Sequence, residues 1–96
     1  MPNTNKNDSN KAAVLASLDM VRQALKTSPA SLDVIEALAQ CDRLQVAIQQ
    51  FHAEGLRFAA FTLLRMVQSK GTVFTESVRQ ATLDLKAALD TAGYPH

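Results

Sequence analysis

The sequence predicts an all-α chain folded as a small antiparallel four-helix bundle. Three observations lead there. Apolar residues recur at intervals of three and four along most of the chain, which is the helical period. Glycine and proline number three each in 96 residues, and the prolines sit near the chain ends or at a joint between helical runs. Stop signals at Thr27-Ser28-Pro29, Gly55 and Lys70-Gly71 then divide the chain into four runs. The rival architecture has three helices, the central one continuous through Gly55, and is dimeric. Its rod of about 40 residues would reach roughly 60 Å, too long for two shorter helices to cover.

Residues 1–8 are asparagine-rich and lack a large apolar side chain after Met1, so a disordered tail is expected there. Residues 9–96 form the single helical domain. Ser9 is a suitable first cap, with Asp8 or Asn10 as rivals. Val14, Leu18, Val21 and Leu25 then make an apolar stripe, widened by Leu15, and Lys26 places a cation in the last turn.

Proline restricts the residue before it and is welcome in the first turn of a helix. Ser28 is therefore the expected cap of the second helix, with Ser31 as the alternative. Val34, Ala37, Leu38, Cys41, Leu44, Ile48 and Phe51 form its main stripe. Ile35, Ala39 and Val46 form a thinner one, so this helix should touch two neighbours. Gly55 is expected to end it in the left-handed region and reverse the chain.

The third run, Leu56 to Ser69, contains no glycine or proline. Leu56, Ala59, Ala60, Leu63, Leu64, Met66 and Val67 share one arc, while Glu54, Arg57, Thr62, Arg65, Gln68 and Ser69 lie opposite. Phe58 and Phe61, three apart and so neighbours on a helix, fall among the arginines. Lys70-Gly71 is the next stop. Thr72 or Thr75 caps the fourth helix, whose stripe is Phe74, Val78, Ala81, Leu85 and Ala88, extended by Leu89 and Ala92. Gly93-Tyr94-Pro95 ends it.

The net charge of +1 gives no bulk attraction to nucleic acid or anionic lipid. The longest apolar run, Phe58 to Leu64, is far short of the ~20 residues that cross a bilayer. With a polar N-terminus and one cysteine, the expectation is a soluble cytoplasmic protein with no membrane association. Cys41 and His52 are eleven residues apart, about 16 Å along a helix, and no Cys-x-x-Cys or His-x-x-x-His pair occurs. Neither a metal nor a cofactor is expected. The carboxylates are scattered, and local pairs are expected between Asp19 and Arg22, Glu54 and Arg57, and Glu76 and Arg79. No phosphate loop or nucleophile motif is present, so the chain is not expected to be an enzyme.

His52-Ala53-Glu54-Gly55 bears a slight resemblance to the histidine phosphotransfer domains, helical bundles that present an exposed histidine. Those domains carry a lysine just before a glycine, with the histidine four residues ahead of that glycine. Here Glu54 holds the lysine's place and Gly55 is one residue early. A carboxylate beside a phosphohistidine is unfavourable.

The leading functional expectation is a non-enzymatic helical protein–protein interaction module. It would self-associate as a homodimer, or meet another helical protein, through the third helix. Its contact set is Phe58, Phe61, Arg57, Arg65 and Phe51, because aromatic residues and arginine are enriched in interfaces. The alternative is a small nucleic-acid-binding or regulatory protein using Arg57, Arg65, Lys70 and Arg79, an electrostatic footprint that is thin. A histidine-phosphotransfer-like signalling bundle using His52 ranks third.

Overall fold

The structure, a computed structural model, describes residues 6–69 and 73–94, with side chains from residue 10 onward. It contains four helices: α1 (Lys6–Lys26), α2 (Leu32–Gln50), α3 (Ala53–Ser69) and α4 (Glu76–Ala92). Each helix packs on two others. α1 lies between α4 and α2, and α3 closes the ring against α2 and α4. The fold is the antiparallel four-helix bundle that the sequence predicts. Lys11 near the start of α1, Phe51 at the end of α2 and Tyr94 after α4 meet at one end, as alternating helix directions require.

α1 begins at Lys6, three residues before Ser9. Residues 6–8, expected in the tail, are therefore helical, and residues 1–5 lie outside the described part. Val14, Leu18, Val21 and Leu25 are buried as their spacing predicts. Arg22 ties α1 to α2, donating from Nη2 to Asp42 Oδ1 at 3.1 Å and to Gln45 Oε1 at 2.7 Å.

Ser31, not Ser28, caps α2, accepting from the Val34 amide at 3.1 Å. The Ser28 hydroxyl is engaged elsewhere. It donates to the Ala24 carbonyl at 2.8 Å, and Thr27 Oγ1 donates to the same oxygen at 3.0 Å. Both hydroxyls serve the end of α1, whose last carbonyls have no partner within the helix. Pro29 then falls in the connector and not in the first turn of α2.

α2 buries Val34, Ala37, Gln40, Cys41, Leu44, Ala47 and Ile48. The second stripe does not gain a neighbour of its own: Ile35 is 60% and Val46 50% exposed. The chain does reverse between α2 and α3, but four residues earlier than expected. Phe51, not Gly55, takes the left-handed conformation, with φ 53° and ψ 41°. Its N–H donates to the Ile48 carbonyl at 3.3 Å and the His52 N–H to Ala47 at 3.0 Å. These two bonds are the Schellman pair that closes a helix C-terminus. Gly55 lies inside the first turn of α3. The continuous central rod is thereby excluded.

α3 buries Leu56, Ala59, Ala60, Leu63, Leu64 and Val67, with Met66 packed partly against the core. Lys70, Gly71 and Thr72, expected to stop α3 or cap α4, lie outside the described residues. Thr75 caps α4, accepting from the Val78 amide at 3.3 Å. Phe74, Val78, Ala81, Leu85 and Leu89 complete the core, while Ala88 and Ala92 are half-buried at its edge. Gly93 ends α4 at φ 75°, and the Tyr94 N–H returns to the Leu89 carbonyl at 2.9 Å.

Candidate protein interface

Helix geometry places Glu54, Phe58, Phe61 and Arg65 within an arc of about 60°, since 4-3-4 spacing nearly completes whole turns. The buried residues of α3 centre on the opposite side. The result is an outward stripe of two aromatic rings between an acid and a base. Phe58 is 66% and Phe61 51% exposed. The Arg65 guanidinium carbon lies 5.8 Å from the centroid of the Phe61 ring, close enough for cation–π attraction. Arg57 lies beside the stripe and, with Glu54, Phe58 and Phe61, lines a shallow depression of about 300 Å³.

A larger groove of about 460 Å³ runs between α2 and α3. Arg43, Val46 and Gln50 form one wall; Gly55, Phe58 and Ala59 form the other. Phe58 thus belongs to both depressions. Val46, from the thinner stripe of α2, carries the apolar surface across to the second helix. Sequence reasoning assigned that stripe to a neighbouring helix and so missed Val46 as a surface residue. The stripe itself was the signal.

Phe51 is not placed with this group. It sits at the bundle end, 57% exposed, with its ring edge-on to Tyr94 (centroids 6.3 Å apart, planes at 81°). The Lys11 ammonium lies 5.1 Å from its centroid. As a member of the main α2 stripe Phe51 was expected in the core. The left-handed backbone turns it to the end of the bundle.

The four cations of the nucleic-acid reading are not gathered on one element. Arg57 and Arg65 are on α3. Arg79 is in the first turn of α4, where its Nη2 donates to Glu76 Oε1 at 3.0 Å. Lys70 lies outside the described residues. Of the three expected local ion pairs, Glu76–Arg79 forms and Asp19–Arg22 approaches to 4.0 Å. Glu54 and Arg57 do not pair, which leaves both charges on the surface of α3.

His52 is exposed in the α2–α3 turn. Its Nδ1 accepts from the Gly55 amide at 3.0 Å. It is the cap of α3. Cys41 is fully buried, and desolvation pushes its thiol from 9.0 up to about 11, with Arg22 lowering it and Asp42 raising it by smaller amounts. A thiol so protonated is a poor nucleophile.

Among the described residues no group of three His, Cys, Asp or Glu side chains is placed to hold a metal ion, and no helix is long and apolar enough to cross a membrane. Comparison of the chain with protein-family models, with characterised proteins and with solved structures finds no match, so the arrangement of these side chains is the ground for a functional reading.

Proposed function

We propose that this chain is a non-enzymatic helical interaction module that self-associates through the outward face of α3. The observation that carries the reading is the exposure of Phe58 and Phe61, three residues apart on the outward face of one helix. Burying a phenylalanine side chain is favourable by about 1.5–3 kcal/mol. Two such rings in water, continued by Val46, hold enough unspent apolar surface to drive association. Single exposed apolar residues are ordinary, but adjacent aromatics flanked by arginines have the composition of an interface centre. The α2–α3 groove supports the same reading, because its walls are chiefly apolar and the His52 Nδ1 is occupied by the Gly55 amide.

Sedimentation equilibrium across micromolar loadings tests this. The wild type is expected to show a reversible, concentration-dependent dimer. Phe58→Ser/Phe61→Ser is expected to sediment as a monomer with unchanged helical circular dichroism. A wild type that stays monomeric throughout the range overturns the proposal.

A further inference from the structure

The outward stripe of α3 has a symmetry that its composition does not reveal. Positions 58 and 61 are equally far from a point midway between residues 59 and 60. Positions 54 and 65 are equally far from that same point. The inner pair are both phenylalanine, and the outer pair are glutamate and arginine. An acid and a base at mirrored positions about two identical rings form a surface complementary to itself when reversed.

From this we infer that α3 docks on α3 of a second copy in antiparallel register, with the two-fold axis crossing between residues 59 and 60. The inference rests on the self-association reading above and gives it a geometry. Reversal brings Phe58 against Phe61 of the second copy, twice. It also brings Glu54 against Arg65 of the second copy, twice. A parallel pairing would set Glu54 against Glu54 and Arg65 against Arg65, which is repulsive at both ends.

Three further features agree. The 4-3-4 spacing of these four residues is that of the seam along which two helices pack with small crossing angles. A two-fold contact uses the same patch on both subunits, so each residue pairs with its mirrored position. Finally, Glu54 and Arg65 form no ion pair inside the chain among the described residues, and both are exposed. They are available to the second copy. The seam spans only about three turns, so the dimer belongs with the small, weak interfaces.

Charge reversal tests the register. Glu54→Arg alone and Arg65→Glu alone each create two like-charge contacts and are expected to raise the dimer dissociation constant about 10-fold. Mixing the two variants restores both opposite-charge contacts in the heterodimer. Its dissociation constant is expected to return to within about 3-fold of the wild type. Recovery on mixing cannot come from repair of a folding defect, because each chain keeps its own substitution. Circular dichroism of each variant alone verifies the helices.

If neither substitution weakens the dimer, or if mixing restores nothing, the antiparallel register is overturned. In that event, loss of the dimer in Phe58→Ser/Phe61→Ser still leaves self-association through α3 standing. If that double variant also dimerises normally, or the wild type does not dimerise at all, the α3 reading itself fails along with the register.

Discussion

The imidazole Nδ1 of His52 lies 3.0 Å from the amide nitrogen of Gly55 and accepts its hydrogen bond. A histidine therefore does at the start of α3 what Ser31 and Thr75 do at the starts of α2 and α4. A β-carbon added at Gly55 would lie 2.8 Å from that same Nδ1. Glycine is needed here for the space it leaves to the ring, not for a special backbone angle. The two residues act as one unit.

This coupling is measurable as a double-mutant cycle in urea. His52→Ala is expected to cost about 1 kcal/mol, the usual loss of a cap. Gly55→Ala alone is expected to change stability by less than about 0.5 kcal/mol, because a helix-propensity gain of about 1 kcal/mol offsets displacement of the ring. In the His52→Ala background the same change is expected to stabilise by about 1 kcal/mol. An equal gain in both backgrounds would show that the ring and the glycine are independent.

Phe51 holds a left-handed conformation that disfavours side chains bearing a β-carbon by about 1–2 kcal/mol. Its contacts with Tyr94 and Lys11 offset that strain. Phe51→Ala keeps the strain and loses the ring, whereas Phe51→Gly loses both. The glycine variant is therefore expected to be more stable than the alanine variant by about 1 kcal/mol in chemical denaturation. The reverse order would mean that the turn relaxes out of the left-handed region.

Cys41 links stability to alkaline pH. The unfolded thiol ionises around its ordinary value of 9.0, while burial holds the folded thiol protonated to about 11. Between these values the unfolded chain releases a proton that the folded chain keeps. Stability therefore falls as pH rises through that window, by about 2 kcal/mol at its upper end from this group alone. Cys41→Ala removes this component. The wild type is expected to lose more stability than the variant between pH 8 and pH 10.5, and parallel losses would rule the linkage out. At pH 8 the native thiol is also expected to react with a disulfide reagent far more slowly than the urea-unfolded chain.

The number of helices, their core-facing residues and the capping glycine at position 93 were legible in the sequence. Each depends on periodicity or on backbone chemistry within a few residues. Val14, Leu18, Val21 and Leu25, or Leu56, Ala59 and Leu63, face inward because one helical turn repeats every three to four positions. The placing of Phe58 and Phe61 opposite that core on α3 follows from the same arithmetic.

Other features were decided only by tertiary packing. The α2–α3 reversal falls at Phe51 because that ring finds Lys11 and Tyr94, each about forty residues away along the chain. Local propensity had favoured Gly55. Ser28 is claimed by the carbonyls ending α1, which leaves the cap of α2 to Ser31. Only packing determined which apolar stripe of α2 would be covered, and it left Val46 and Ile35 in water. Helical period fixes which residues share a face, whereas burial of that face depends on which distant segments have the length and shape to reach it.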